Sequence, residues 1–68
     1  MKNRIKIERA KNSMTQSELA SKVQVSRQTI YAIEAGEYNL STLLALKIAS
    51  VFETSIESLF VLEQKDWK

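Results

Sequence analysis

The residues best equipped for chemistry stand in one short run, Ser26-Arg27-Gln28-Thr29-Ile30-Tyr31. Arg carries paired N–H donors and Gln a donor beside an acceptor, the patterns that match guanine and adenine edges in the major groove of DNA. Thr29 adds a hydroxyl and a methyl, and Tyr31 a ring with a hydroxyl. Little else in the chain could react. There is no His and no Cys, no Gly-rich phosphate loop and no pair of acids in a plausible pocket. An enzyme is therefore nearly excluded, and no catalytic residue, metal or cofactor is expected. The chemistry on offer is recognition.

Two short helices around a tight bend, spanning Thr15 to Gly36, must position these side chains. Met14 packs inward just before a T-x-x-E capping box, Thr15 with Glu18, which starts a helix over about Gln16–Val23. Ser26 caps a second helix over about Arg27–Ala35, since its hydroxyl can accept from N–H groups of the following turn. Gly36 stops that helix as a C-terminal cap. Leu19, Val23, Val25, Ile30 and Ile33 are spaced to form one buried seam, and small Ala20 allows a close crossing. The pattern is that of a helix-turn-helix with its recognition helix starting near Arg27.

The stretch resembles the DNA-binding domain of the phage Cro and repressor family, also called the xenobiotic-response-element family. The shared residues are Thr15-Gln16, Glu18-Leu19-Ala20, Val23, Val25 to Ile30, Ile33-Glu34 and Gly36, and the similarity continues through Leu43–Ala49 and Ile56–Phe60. The resemblance implies that Arg27 and Gln28 face DNA and reach base edges. It implies that Gln16 packs against the recognition helix and touches a phosphate, helped by the partial positive charge of its helix N-terminus. Thr29 and Tyr31 could each contact a phosphate or a thymine methyl, or be ordinary exposed helix. Ser26 would cap the helix and donate to a phosphate, and Tyr38 and Asn39 would make backbone contacts. Ala32 occupies a base-contact position with almost no reach. Arg9 and Glu34 are implied to pair across the first and third helices as a structural anchor. Gln24 stands in the bend where the family usually has Gly, a departure costing on the order of 1 kcal/mol.

Outside this core, the composition favours helices nearly throughout, with no Pro and one Gly in 68 residues. The expected fold is an all-α, compact five-helix repressor-like domain, one unit over residues 1–68. A first helix over 3–12 takes apolar contacts from Ile5, Ile7 and Ala10, and Asn12 or Ser13 bears the left-handed turn that ends it. Ser41 caps a fourth helix that Leu43, Leu44, Leu46, Ile48, Ala49 and Phe52 make apolar on nearly two faces. A short fifth helix covers Ile56–Phe60. Residues 1–11 hold five cations against one acid, whereas residues 35–68 sum to −2. A basic end and an acidic end suit a protein that turns one side to a polyanion, and Lys6 and Lys11 would add long-range attraction. No apolar run reaches the roughly 20 residues of a membrane span, and the N-terminus is too charged for a signal peptide. A cytoplasmic protein with no membrane partner and no obligatory small-molecule ligand is expected.

From Phe60 onward the apolar period becomes two, more like a strand. Pairing with an extended Met1–Arg4 would give a small two-stranded β-ribbon, an arrangement that small cytolysin-type repressors of the family resemble. A frayed tail is the other reading. Leu59, Phe60, Leu62 and Trp67 are too many large apolar groups for one small chain to cover, so residues 59–68 are assigned to a homodimer contact. The function expected is a sequence-specific, dimeric regulator of transcription, a repressor on a pseudo-palindromic operator in double-stranded DNA. The alternative is a protein-interaction module, such as the antitoxin of a toxin–antitoxin pair.

Overall fold

The computed structural model describes residues 1–37 and 40–67. In chain order it contains β1 (Lys2–Asn3), α1 (Ile5–Lys11), α2 (Gln16–Val23), α3 (Arg27–Glu34), α4 (Thr42–Val51), α5 (Ile56–Leu59), β2 (Phe60–Val61) and a 3-10 turn over Gln64–Trp67. Four of the helix starts are fixed by a side-chain oxygen. Thr15 accepts from the Glu18 N–H at 3.0 Å while Glu18 accepts from the Thr15 N–H at 2.8 Å, a complete capping box. Ser26, Ser41 and Ser55 accept from the N–H groups of Thr29, Leu44 and Ser58 at 3.1–3.2 Å. Each such cap is worth about 1 kcal/mol against Ala.

The helix ends share one device. At the ends of α1, α2, α3 and α4 the chain turns back through a left-handed residue, and two backbone N–H groups close onto the last turn. Met14, Val25, Glu37 and Thr54 donate to the carbonyls of Arg9, Ala20, Ala32 and Ala49 at 2.9–3.0 Å. The left-handed residues are Ser13, Gln24, Gly36 and Glu53, with φ of 50°, 63°, 77° and 52°. Three of the four therefore carry a Cβ where glycine is favoured, and at Glu53 the residue type gives no sign of it. At Gly36 space matters as well, because a Cβ there would sit 3.3 Å from the Met1 carbonyl oxygen.

The core is the seam of α2 and α3 closed by the other helices. Leu19, Val23, Ile30 and Ile33 are buried together with Ile5 from α1, Ile48 from α4 and Leu59 from α5. Full burial of each such side chain contributes about 1.5–3 kcal/mol. Ala20, also buried, keeps α2 thin within this cluster.

The first helix begins at Ile5, because Lys2 and Asn3 pair antiparallel with Val61 and Phe60, and Ile7 and Ala10 are exposed. Leu43 and Leu46 of α4 also face outward, so only one face of that helix joins the core. The strand stops at Val61: beyond it the Asp66 carboxylate accepts from the Glu63 N–H at 2.7 Å and winds the tail into the 3-10 turn. Leu59 and Phe60, assigned above to a dimer contact, are 1% and 8% exposed. They are core residues, since the ribbon draws this segment in beside the start of α1, where the Arg4 backbone N–H donates to the Leu59 carbonyl at 2.8 Å.

Candidate nucleic-acid interface

The short turn at Gln24–Val25 sets α3 across α2, and helical spacing then sorts the side chains of α3. Ile30 and Ile33, three apart, point into the core, and this leaves Arg27, Gln28 and Tyr31 exposed on the other side. Ser26 is exposed as well, but its hydroxyl already accepts from the Thr29 N–H and lies 3.0 Å from the Thr29 hydroxyl. Thr29 is half-buried, as is Ala32. The outward side of α3 therefore presents Arg27 and Gln28 most freely, with Tyr31 one turn on. Tyr38 and Asn39 lie outside the described residues.

A polar chain runs behind this surface. Arg9 grips Glu34 with two nitrogens, Nε to Oε2 at 2.6 Å and the second guanidinium N–H to Oε1 at 3.0 Å, and gives its remaining arm to the Met14 carbonyl at 2.9 Å. The side chains are 14% and 9% exposed, and the hydrogen bonds to Glu34 raise the Arg9 pKa further, outweighing the desolvation that lowers it. Gln16 donates to Glu34 Oε1 at 3.1 Å, and its own Oε1 lies 3.5 Å from an Arg27 nitrogen. The last contact is long enough to orient rather than to bind. In this way α1, the start of α2 and the end of α3 are joined through one carboxylate, with the start of α3 beside the same amide.

Two residues do more than the sequence suggested. Asn3 donates to the Ile33 carbonyl at 2.7 Å and accepts from the Ile5 N–H at 3.3 Å, so it serves the end of α3 and the start of α1 together. Lys6 lies in the same cleft as Gln16 and Tyr31. Its sequence spacing gives no sign of this, because the neighbours come from three different helices. Among the described residues no buried side-chain polar atom lacks a partner.

A helix, a tight turn and an exposed second helix within a small helical bundle define a helix-turn-helix DNA-binding domain. The chain belongs to the helix-turn-helix family of the Cro and repressor type, whose sequence pattern matches residues 5–59. It is 50% identical over 66 residues to an uncharacterized HTH-type transcriptional regulator of Methanocaldococcus jannaschii, covering 97% of this chain and 100% of that protein. An uncharacterized HTH-type transcriptional regulator of Bacillus subtilis, YgzD, is 46% identical, again over 97% and 100% of the two chains. Among solved structures, the N-terminal DNA binding domain of SinR from Bacillus subtilis superposes with a TM-score of 0.76 at 29% identity, covering 90% of each chain. The family is one of DNA-binding regulators and not of enzymes. Among the described residues no helix is long and apolar enough to cross a membrane.

Proposed function

We propose that this protein is a sequence-specific repressor of transcription that binds a pseudo-palindromic operator as a homodimer. The observation that carries the reading is the exposure of Arg27 and Gln28 on the first turn of α3, backed by the Arg9–Glu34–Gln16 chain that ties the end of this helix to α1 and α2. Two such helices, one per copy, would enter successive major grooves about 34 Å apart. Arg27 and Gln28 would select bases, while Gln16, Ser26 and Thr29, with Tyr38 and Asn39, would hold phosphates and set the register. Repression then needs only occupancy of the site.

The dimer contact is reduced to Leu62 and Trp67, which are exposed on the tail. The test is binding of the purified protein to duplexes recovered by selection and to scrambled duplexes, across a salt series. Tight, selective binding that weakens steeply with salt supports the regulator. Equal, weak binding to both would instead favour the protein-interaction reading, and a heterocomplex on pull-down would then be expected.

A further inference from the structure

A shallow cleft between α1 and α3 is lined by Lys6, Gln16 and Tyr31, with Arg9, Glu34 and Ala35 completing it. Its place on α3 follows from spacing: Arg27, Tyr31 and Glu34 stand at i, i+4 and i+7, so the cleft continues a line that begins at Arg27. Lys6 is exposed, and among the described residues it pairs with no carboxylate. The one acid in the cleft cannot serve it well. Both oxygens of Glu34 accept from Arg9, and Oε1 also accepts from Gln16. Lys11, by contrast, is already paired with Glu8 at 3.3 Å. Two cations against one spent carboxylate leave the cleft positive. Tyr31, which carries a phenol hydroxyl, and Gln16, whose amide has a second N–H beyond the one given to Glu34, line the same cleft. Such a set of donors suits a phosphate oxygen, which can accept from an ammonium, a hydroxyl and an amide N–H alike.

We infer that this cleft seats a backbone phosphate of the DNA strand bordering the groove that α3 enters, with Lys6 supplying the charge and Tyr31 a hydrogen bond. The inference rests on the DNA-binding reading. It extends the footprint from the helix-turn-helix onto α1, and it assigns Tyr31 to the backbone rather than to a base.

The experiment measures affinity against salt for the wild type, Lys6→Gln, Tyr31→Phe and the control Lys65→Gln, on a selected and a scrambled duplex. One phosphate fewer lowers the slope of log K against log salt by about 0.9, a loss of about eightfold at 0.1 M salt. Lys6→Gln should show that loss equally on both duplexes, so site preference stays unchanged. Tyr31→Phe should weaken both duplexes by a smaller common factor. Lys65→Gln, which removes the same charge from the tail, should leave the slope as it is. A wild-type slope retained in Lys6→Gln, or an equal drop in Lys65→Gln, overturns the seat while leaving the regulator intact. A change of base preference in Tyr31→Phe overturns the assignment of Tyr31. Wild-type protein with no salt-dependent DNA binding overturns the functional reading and the seat together.

Discussion

Gln16 donates to the Glu34 oxygen that Arg9 also holds, at 3.1 Å, so the first residue of α2 and the last residue of α3 are one hydrogen bond apart. The two helices of the motif are thus locked at opposite ends, by the turn at Gln24 and by this amide. The same amide lies beside Arg27. A side chain proposed to read DNA is therefore oriented from the fold's polar interior, and structural damage there would be expected to reach it indirectly.

Removal of the carboxylate should show which effect comes first. Glu34→Ala leaves the Arg9 guanidinium largely buried without its partner, a loss of about 3 kcal/mol or more. For a domain of this size that is a large share of the total. Urea unfolding should show the loss directly, with much reduced folded protein at 37 °C. An unchanged melting temperature together with a new site preference would contradict the structural role of the pair.

Arg27 and Gln28 should behave in the opposite way. Both are exposed and neither carries a core contact, so Arg27→Ala and Gln28→Ala should leave stability within about 0.5 kcal/mol. Discrimination at the base pair each one contacts should fall by about 1–3 kcal/mol. Selection of sites from random duplexes by each variant measures this as a relaxed position in the recovered motif. A uniform loss of affinity with the motif retained would move these residues to the phosphate backbone.

Much of the fold was legible because caps and spacing are local. Thr15 with Glu18, Ser26, Ser41 and Gly36 mark helix boundaries within a few residues of themselves, and each lies where the sequence placed it. What failed was long-range. The alternation from Phe60 onward resembles a strand, yet strand pairing needs a partner, and only Phe60 and Val61 find one, in Asn3 and Lys2, before the Asp66 carboxylate winds the tail into a turn. The same pairing buries Leu59 and Phe60, which the sequence left without cover. At the site, Arg27 and Gln28 were visible from their position after a cap. The cleft of Lys6 was not, since it exists only when α1, α2 and α3 are assembled.

Three helix ends carry a removable cost. Ser13, Gln24 and Glu53 are exposed and left-handed, and Gly at each would relieve the Cβ clash at some expense in unfolded-chain entropy. Each replacement should stabilise the domain by up to about 1 kcal/mol, read as an increase in the urea midpoint with an unchanged slope. The gain at Gln24 should be the smallest, because its side chain also accepts from Lys47 at 3.4 Å. A destabilised Glu53→Gly variant would show that the left-handed turn is not where the strain resides.

Stability should also carry a mark of Glu18 at acid pH. Its carboxylate accepts from the Thr15 N–H, and this holds its pKa below the usual 4.5. A carboxyl depressed in the folded state stabilises above its unfolded pKa, and that contribution is lost as pH falls through the folded value. The wild type should therefore melt above Glu18→Gln at neutral pH, with the gap closing below about pH 4.5 as the carboxyl takes up its proton. A gap independent of pH would mean that the capping geometry, and not the charge, is what stabilises α2.

Trp67 offers a direct reading of the proposed dimer. It is the chain's one tryptophan and is 76% exposed in a single copy, on a tail where Leu62 is exposed as well. If the two tails meet, the indole leaves water as the protein associates. Its emission should then shift to shorter wavelength with rising protein concentration, over the range in which sedimentation reports the change from monomer to dimer. Leu62→Glu should abolish both changes while leaving the helical circular dichroism intact, because the side chain lies outside the core. It should also weaken binding to a two-half-site duplex far more than to a single half-site, where only one copy is needed. Monomer at every micromolar concentration would remove the tail from the interface, and with it the assignment of Leu62 and Trp67.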